Sequence, residues 1–281
     1  MRFGDKETAM SLPHVERKES DDTHTVRVGD ALFGSKEIVI ISGPCAVESA
    51  EQVKQIAELA LRTGTKVLRG GIFKPRTSPY SFQGLGRKAI EILRNAADEA
   101  NLPIVSEVMD SSQVDEYESI IDMLQIGSRN MHNFSLLKRV GKSNRPVLLK
   151  RGMSATLEEL LNAAEYIMNE GNDQVVLCER GIRTFNDFSR NTFDLTIIPK
   201  IKQVSKLPII ADPSHGTGDR EMVIPVARAA IAAGADGVMI EVQYNPDKAL
   251  SDSTQTLYPE QLVALVEDIR KIAPAVNREF K

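Results

Sequence analysis

Residues 38–46 read IVIISGPCA, a continuous apolar run that ends in a Gly-Pro-Cys turn. An apolar run of this length is typical of a parallel β-strand that is buried on both faces. In residues 50–63, which follow, Val53, Ile56 and Leu61 recur at the spacing that places them on one face of a helix. The stretch therefore predicts one strand and one helix, which together make a βα unit.

The same unit repeats along the chain. The predicted strands are residues 38–46, 66–73, 103–109, 123–126, 146–149, 175–178, 208–211 and 237–242. The predicted helices after them are residues 50–63, 86–100, 112–120, 134–141, 157–169, 193–204, 222–233 and 259–272. Strands that alternate with helices of this length form a parallel sheet, and eight such units over about 250 residues are typical of a TIM (β/α)8 barrel. An open doubly wound α/β sheet is the alternative, but the first turn lacks its Gly-rich dinucleotide pattern.

The residues before the first unit predict two further parts. Residues 1–22 are polar and lack periodicity, which indicates a flexible leader. Residues 23–35 alternate apolar and polar side chains around Gly29-Asp30, which predicts a short β-hairpin. We expect this hairpin to act as a lid or plug on the catalytic barrel of residues 36–281.

The composition excludes several classes of function. The net charge of −4 gives no overall electrostatic support for a nucleic-acid partner. No apolar run approaches the roughly 20 residues of a membrane-spanning helix, and the first residues show no apolar core of a secretory signal. Two cysteines, Cys45 and Cys178, do not make a disulfide framework. The sequence therefore predicts a cytoplasmic protein without a membrane or nucleic-acid partner.

The second predicted strand runs into a basic loop, VLRGGIFKPRTSPYSFQG at residues 67–84. Two prolines stiffen the loop because proline fixes φ, and fixed cations beside hydroxyls favour a bound phosphate or carboxylate. Active sites of TIM barrels lie at the carboxyl ends of the strands, so cations from several strands should face one cavity. These cations are Arg69, Lys74, Arg76, Arg129, Lys150 and Arg180.

So many cations would repel one another in one cavity unless a multiply anionic ligand lies between them. Two phosphate-bearing substrates, or one phosphate and one carboxylate, would balance them. The alternative is that each cation pairs with a local carboxylate at the surface.

A second group of polar residues follows the first, seventh and eighth strands. In a closed barrel the eighth strand lies between the seventh and the first, so these residues should meet on one side of the mouth. They are Cys45, His215, Glu241 and Asp252. A thiolate, an imidazole and two carboxylates suit a divalent transition metal such as Mn²⁺, Fe²⁺, Co²⁺ or Zn²⁺. Cys178 lies inside the sixth strand and is interpreted as a core residue.

Several motifs carry a family resemblance. They are GPCAVES at 43–49, RGGIFKPRTSPYSFQG at 69–84, IGSRNMHNF at 126–134, LLKRGM at 148–153, CERGIRTF at 178–185 and DPSHGTGDR at 212–220. Together they resemble the 3-deoxy-D-arabino-heptulosonate 7-phosphate (DAHP) synthases, in their type Iβ branch. The related 3-deoxy-manno-octulosonate 8-phosphate (KDO8P) synthases share the barrel but typically carry a KANRS-like sequence where this chain has KPRTS at 74–78. The difference favours erythrose 4-phosphate over arabinose 5-phosphate.

The resemblance implies a reaction of phosphoenolpyruvate with erythrose 4-phosphate and water, which gives DAHP and phosphate as the first step of the shikimate pathway. It also implies a divalent metal, Mn²⁺ before Fe²⁺, Co²⁺, Zn²⁺ or Cd²⁺, a homotetramer or homodimer, and a chorismate mutase partner. Regulatory domains that many relatives carry are not recognised in the sequence, so we expect no allosteric control of that kind. The alternatives are a KDO8P synthase and a barrel that binds a phosphorylated metabolite without turnover.

The residues that match the family's motifs receive roles from the resemblance. Arg129, Lys150 and Arg180 match the ligands of phosphoenolpyruvate, helped by Arg69 and Lys74. Arg76 and Thr77, with Ser78, match the contacts to the sugar phosphate. Cys45, His215, Glu241 and Asp252 match the metal ligands. Lys74 is the predicted general acid, and Glu107 and His215 complete the predicted catalytic set. Ser128 and His132 depart from the residues expected in close relatives, and His132 is a further candidate for a ligand contact.

Overall fold

The computed structural model describes residues 12–18, 22–73, 80 and 82–281. Its ten strands in the described ranges are β1 Val26–Val28, β2 Ala31–Phe33, β3 Val39–Gly43, β4 Val67–Arg69, β5 Ile104–Glu107, β6 Met123–Ile126, β7 Val147–Lys150, β8 Val175–Glu179, β9 Ile209–Ala211 and β10 Gly237–Glu241. Strands β3 to β10 are parallel and form a closed barrel in chain order, in which β10 pairs with β3. The predicted TIM barrel is confirmed.

Helices surround the barrel. They are α1 Ala50–Thr63, α2 Arg87–Glu99, α3 Ser111–Tyr117, α4 Phe134–Gly141, α5 Leu157–Met168, α6 Ile197–Val204, α7 Pro213–Thr217, α8 Arg220–Ala232 and α9 Pro259–Ala275. Side-chain caps start several of them, because the first amides of a helix need acceptors. Ser49 accepts from the amide of Gln52 at the start of α1, and Thr156 forms a capping box with Glu159 at the start of α5.

Two predicted strands are longer than the observed ones. Strand β3 ends at Gly43, before the predicted limit of 46, because Pro44 has no amide to continue the ladder. Gly43 has a φ of 155°, and a Cβ at this position would collide with the carbonyl of Arg69 on β4. Strand β4 ends at Arg69, although residues 66–73 were predicted, because two glycines follow and weaken the strand.

The helices after β8 and β9 also differ from the prediction. Helix α6 begins at Ile197, whereas the prediction of 193–204 began four residues earlier. The short helix α7 was missed because its five residues are too few for a periodic pattern. Asp212 nonetheless caps it by accepting from the amide of His215, and Pro213 occupies its first turn.

The hairpin is confirmed, and it is a plug rather than a lid. Strands β1 and β2 pair antiparallel around Gly29, which has the positive φ of 55° that a tight turn favours. Gly29 approaches Pro103, which precedes β5, and the amide of His24 donates to the carbonyl of Lys206, before β9. The hairpin therefore closes the amino-terminal end of the barrel, opposite the ends where active sites lie.

Part of the predicted flexible leader lies against the barrel. Val15 is fully buried, and its carbonyl accepts hydrogen bonds from the hydroxyl of Ser205 and the amide of Lys206. The His14 ring lies 2.6 Å from a carboxylate oxygen of Glu165 on α5. Residues 12–18 are thus not the free chain that we expected, because a buried apolar side chain holds them. The division of the chain at residues 22 and 35 stays a prediction.

Apolar side chains form two layers. The outer layer lies between the strands and the surrounding helices and includes Ile40, Leu124 and Ile231. The inner layer fills the barrel and joins the hairpin to the strand interiors, as Phe33 and Met239 belong to the same cluster. These two apolar layers leave the carboxyl ends of the strands to polar residues.

Within the described residues, none of the helices has the length and apolar character that crossing a membrane requires.

Candidate active site

Four candidate metal ligands meet at one side of the barrel mouth. Cys45 follows β3, His215 lies in α7, Glu241 ends β10 and Asp252 lies in the loop between β10 and α9. One donor atom from each lies within 4.8 Å of the others. The thiol of Cys45 is 2.9 Å from Asp252 Oδ2, and His215 Nε2 is 3.2 Å from Glu241 Oε1. The convergence predicted from the sequence is therefore found.

Asp212 orients the imidazole of His215. Its carboxylate accepts from the His215 amide at 3.0 Å and lies 2.8 Å from Nδ1, so Nε2 is left to face the other ligands. Burial acts to raise the pKa of Asp212, but the neighbouring His215 and Lys150 outweigh it and hold that pKa well below its usual value. Burial lowers the pKa of His215, which favours the neutral ring that a metal needs.

Glu241 is fully buried and held from several sides. Gln255 Nε2 donates to its Oε2 at 2.5 Å, and Arg69 lies 2.6 Å from its Oε1. Its amide donates to the hydroxyl of Ser214 at 3.0 Å. Burial acts to lower the pKa of Arg69, but Glu241 and then Cys45 raise it above its usual value. Such outer contacts fix the direction in which a ligand points.

The donor set fits a divalent transition metal. Thiolate and imidazole are softer donors than Mg²⁺ or Ca²⁺ prefer, whereas carboxylates also suit Mn²⁺ and Fe²⁺. Gln255 and Asp212 each hold a ligand in the manner that metal sites require. The cluster is therefore suited to one divalent ion, which Cys45, His215, Glu241 and Asp252 would hold.

A cavity of about 280 Å³ opens beside the four residues. In the part of the chain that the structure describes, it is lined by Arg69, Glu107, Gln125, Gly127, Ser128, Arg129, Lys150, Met153, Arg180, Arg183, Arg190, Asn191, His215 and Asp252. The predicted cations Arg69, Arg129, Lys150 and Arg180 thus face one space. Its lining is predominantly cationic, which favours an anionic ligand.

Two of these cations are balanced by buried carboxylates. Lys150 pairs with Asp212, and Arg69 pairs with Glu241. The expectation that a ligand alone balances the cations is wrong for these two, because partners at the strand ends of β9 and β10 offset their charge. Within the described ranges, Arg129 and Arg180 form no ion pair. Burial lowers the pKa of Arg180 from its usual value, as expected for a buried cation that lacks such a partner.

Glu107 lies across the cavity, at the end of β5. Its carboxylate is 3.4 Å from Gln125 Nε2, and Gly127 leaves the space that it occupies, since a Cβ at 127 would collide with Glu107 Oε1. The predicted residues Lys74, Arg76, Thr77 and Ser78 lie outside the described residues. The His132 ring is 6.4 Å from that of Phe134, and His132 is absent from the described lining of the cavity.

Sequence reasoning gave no role to Asp212, Arg190 or Gln255. Asp212 stands at a predicted strand end, but its contact with the His215 ring depends on the short helix α7, which was missed, and its partner Lys150 lies far away in the chain. Arg190 lies 3.6 Å from Asp252 and faces the cavity from the loop after β8. That loop folds back on itself, because Ile182 bridges Thr192, and no periodic pattern marks it in the sequence. No sequence pattern marks Gln255 either, and its partner Glu241 is 14 residues away.

The profile of the DAHP synthetase I family matches residues 16–277. The chain belongs to this family. A phospho-2-dehydro-3-deoxyheptonate aldolase of Thermotoga maritima is 48% identical over 263 residues, which cover 94% of this chain and 78% of the relative. A crystal structure of the DAHP synthase of Thermotoga maritima matches with a TM-score of 0.92 at 46% identity, over 95% of this chain and 78% of that chain.

The KDO8P alternative is more distant. A 2-dehydro-3-deoxyphosphooctonate aldolase of Desulfotalea psychrophila is 30% identical over 267 residues, which cover 88% of this chain and 94% of the relative. This identity is well below the 48% of the heptonate aldolase. The DAHP synthase family and the enzyme class predicted from the motifs are therefore confirmed.

Proposed function

We propose that the chain condenses phosphoenolpyruvate with D-erythrose 4-phosphate and water to give DAHP and inorganic phosphate. The observation that carries the proposal is the position of the four-ligand cluster directly beside the arginine-rich cavity, since His215 and Asp252 belong to both. A Lewis-acid centre and an anion site that share a wall can hold an aldehyde next to a phosphorylated partner. Family membership supports the same reaction.

Phosphoenolpyruvate carries a phosphate and a carboxylate, and the cavity offers separate cations for each. Arg129 and Arg180, which form no ion pair in the described chain, are the strongest candidates for its anionic groups. Lys150 already pairs with Asp212, so it would share its donors between that carboxylate and the substrate. Arg69 is held by Glu241 and would contribute one edge of its guanidinium. Guanidinium groups suit this task because they bind planar anions through two hydrogen bonds.

Cys45, His215, Glu241 and Asp252 would hold the metal, for which Mn²⁺ is the first candidate. When bound, a divalent ion supplies Lewis-acid polarisation of the sugar's aldehyde oxygen. The residues around it keep the ligands in place: Asp212 holds His215, and Gln255 holds Glu241. The identity of the ion rests on the donor set, which Fe²⁺, Co²⁺, Zn²⁺ and Cd²⁺ also fit.

In the proposed reaction, carbon three of phosphoenolpyruvate attacks the aldehyde carbon, and a new carbon–carbon bond forms. Water adds at carbon two, where positive charge develops, and phosphate leaves with cleavage of its bond to that carbon. Lys74 stays the proposed proton donor to the new alkoxide, on the motif alone. Glu107 faces the cavity from β5, where a carboxylate stabilises positive charge or accepts a proton from the attacking water. His215 acts through the metal cluster.

A direct assay tests the reaction. Phosphoenolpyruvate and Mn²⁺ are mixed with the protein and either erythrose 4-phosphate or arabinose 5-phosphate, and the loss of phosphoenolpyruvate absorbance is followed with and without EDTA. We expect turnover with the four-carbon sugar that EDTA stops. Turnover with arabinose 5-phosphate alone would establish the KDO8P alternative. If the phosphoenolpyruvate absorbance falls with neither sugar, the barrel is non-catalytic. Activity that survives complete chelation would contradict the metal.

Substitution of Arg76 tests whether different residues bind the phosphates of the two substrates. We expect Arg76→Ala to raise the KM for erythrose 4-phosphate more than the KM for phosphoenolpyruvate, since its motif matches the sugar-phosphate contacts. Arg87→Ala is a control, because Arg87 begins α2 and is largely exposed. Equal changes of both KM values would contradict the assignment.

The proposal extends to the cellular location, the oligomeric state and the protein partner of the enzyme. We propose a cytoplasmic homotetramer or homodimer, with a chorismate mutase as the partner that would supply feedback control. Sedimentation of the purified chain, alone and with a chorismate mutase, tests both. A monomer at all concentrations, or two species that never associate, would contradict them.

A further inference from the structure

The loop between β10 and α9 contributes to the metal cluster twice. It carries Asp252, a candidate ligand, and Gln255, which donates to Glu241 at 2.5 Å. Glu241, another candidate ligand, therefore also depends on this loop for its orientation. The loop has no regular strand or helix around Asp252, so its shape must come from other contacts.

Asp252 adopts an uncommon backbone conformation. Its φ is 51°, in the left-handed region that residues other than glycine seldom occupy. A conformation of this kind is strained and persists where the surroundings enforce it. The surroundings of residues 252–256 therefore decide whether the ligand is in place before a metal arrives.

Arg220 is the residue that joins most of this loop. The Arg220 amide donates to the carbonyl of Thr254 at 2.9 Å. Its Nε donates to the carbonyl of Thr256 at 2.6 Å, and its Nη2 donates to that of Ser253 at 2.8 Å. A single residue thus binds three carbonyls of the four residues that follow Asp252. A guanidinium is well suited to this role because its donors lie in a rigid plane.

The Arg220 side chain is itself fixed. Its guanidinium carbon lies 4.6 Å from the centre of the Tyr258 ring, and Nη2 lies 3.0 Å from Asp247 Oδ1. The Tyr258 hydroxyl donates to the other oxygen of Asp247 at 2.6 Å. The side chain of Arg220 is only 17% exposed, so these contacts hold it in one direction. Arg220 is also the first residue of α8, a helix packed against α9 and α7.

We propose that Arg220 is a positioning residue for the metal cluster. By holding residues 253–256 it keeps Asp252 in its left-handed conformation and keeps Gln255 against Glu241, so that less of the loop has to become ordered when a metal binds. Arg220 touches neither the metal ligands' donor atoms nor the cavity, within the residues that the structure describes. The inference rests on the metal site of the proposed function.

Metal affinity is the measurement that tests this role. Metal-free wild type, Arg220→Ala and Arg220→Lys are titrated with Co²⁺, which reports on the Cys45 thiolate through its charge-transfer absorption, and with Mn²⁺ in a calorimeter. Arg228→Ala is the matched control, because Arg228 lies on the same helix but pairs with Asp268 at the surface. Thermal unfolding of each metal-free variant is recorded alongside.

We expect Arg220→Ala to raise the metal Kd by about 10–100-fold, the usual effect of losing a residue that orients ligands. The Co²⁺–thiolate absorption should persist at saturating metal, since Cys45 and His215 lie on other elements. Arg228→Ala should bind metal like the wild type.

Metal binding by folded Arg220→Ala within twofold of wild type would overturn the inference. If Arg220→Ala does not fold, Arg220→Lys decides: lysine keeps the charge beside Asp247 but has no planar pair of donors for the carbonyls of Ser253 and Thr256, so its Kd should also rise. A wild-type Kd for Arg220→Lys would then overturn the role. Failure of the wild type to bind either metal would overturn the metal site itself, and this inference with it.

Discussion

The two ends of the barrel are built from the same eight strands but have opposite chemistry. At the amino-terminal end, Val26 and Phe33 of the hairpin join the apolar side chains of the barrel interior. At the carboxyl-terminal end, buried charges stand next to one another, as Lys150 does with Asp212 and Arg69 with Glu241. One end is closed and apolar, whereas the other is open and charged.

The difference separates stability from chemistry within one sheet. Burial of apolar area is the main favourable term in folding, so the plugged end stabilises the barrel. Burial of charge costs several kcal/mol of desolvation per ion, which pairing repays only in part. The charged end is therefore a poor device for stability, and its presence is explained by the ligands that it binds. Substitutions at the charged carboxyl-terminal end should alter activity, and substitutions at the plugged amino-terminal end should alter the free energy of unfolding.

The largest effect is expected for Cys45 at the charged end, compared with Cys178 in the buried interior of β8. Cys45→Ala removes a candidate metal ligand at the mouth and should abolish metal-dependent activity, a loss of more than about 100-fold, since losing an outer contact alone costs about 10–100-fold. Cys178→Ala is the control, because Cys178 lies in β8 among the inner core residues. Activity and metal content of the purified variants are measured.

Cys178 should also be inert toward thiol reagents in the folded protein. Burial raises the pKa of its thiol far above the usual value, so little thiolate is present at neutral pH. Equal losses of activity in Cys45→Ala and Cys178→Ala would contradict the assignment of Cys45 as a metal ligand.

The next largest effect concerns the plug. Phe33→Ala should lower the free energy of unfolding by about 3–5 kcal/mol, the usual cost of removing a buried phenylalanine side chain. Its kcat below the unfolding temperature should stay near the wild-type value, because the plug lies at the end opposite the cavity. Urea unfolding and initial rates measure both quantities.

Phe185→Ala provides the matched control for this change. Phe185 is fully exposed in the loop after β8, so its loss should change stability by less than about 0.5 kcal/mol. A Phe33→Ala protein of wild-type stability but low kcat would show that the plug acts on the chemistry.

At the charged end, Arg180 is expected to affect substrate binding and not stability. Arg180→Ala should raise the KM for phosphoenolpyruvate by about 10–100-fold, since a hydrogen bond to a charged group contributes about 1.5–3 kcal/mol. Stability should not fall, because the buried cation has no ion-pair partner among the described residues and its removal relieves desolvation. Steady-state kinetics and thermal unfolding test this, and a large loss of stability with an unchanged KM would refute it.

The smallest effect is expected for a polar contact near the mouth that stabilises a helix and does not bind the substrate. Helix α5 begins just beyond β7, and its capping box joins Thr156 to Glu159. Thr156→Ala should cost about 1 kcal/mol of stability without changing either KM. Urea unfolding of the variant at neutral pH is the measurement, and a changed KM would show that this cap belongs to the site.

The same capping box predicts a pH dependence of stability. The backbone amide of Thr156 lowers the pKa of Glu159 below 4.5, its value without such contacts. A lowered pKa in the folded state means that the stabilisation is present above pH 4.5 and disappears as the pH falls below it. The stability difference between wild type and Glu159→Gln should therefore shrink at low pH, and a difference that grows there would contradict the assignment.

Much of the fold could be predicted from the sequence because the barrel repeats one unit, a strand followed by a helix. The bounds of β6 and α4 match the prediction at both ends, since β6 is a short, largely apolar run and Asn133 caps the start of α4. The ends of β3 and β4 were misplaced, because buried residues continue past the strand ends into the loops, where an isolated bridge still pairs Ala46 with Gly71. Apolar character reports burial, and burial extends beyond the strands here.

The candidate site was predictable to the extent that strand ends are. Cys45 and Glu241 are brought together by closure of the barrel between β10 and β3, which follows from the count of units. The contacts that orient these ligands were not predictable, because Gln255 and Arg220 lie in or beside loops whose shape depends on the finished structure. The pairing of Lys150 with Asp212 was missed for the same reason, as it joins two strands that are not neighbours.

The hairpin has a consequence for the order in which the chain folds. Its strands are the earliest of those described to leave the ribosome, yet its turn residue Gly29 lies against Pro103 and the neighbouring His24 bonds to Lys206, far later in the chain. Contacts of such wide sequence separation form slowly, so we expect the hairpin to dock late, after most of the barrel exists. Pulsed hydrogen exchange during refolding should then show the amides of β1 protected after those of β6. Until that step, the apolar side chains of the hairpin, such as Phe33, would stay exposed to solvent.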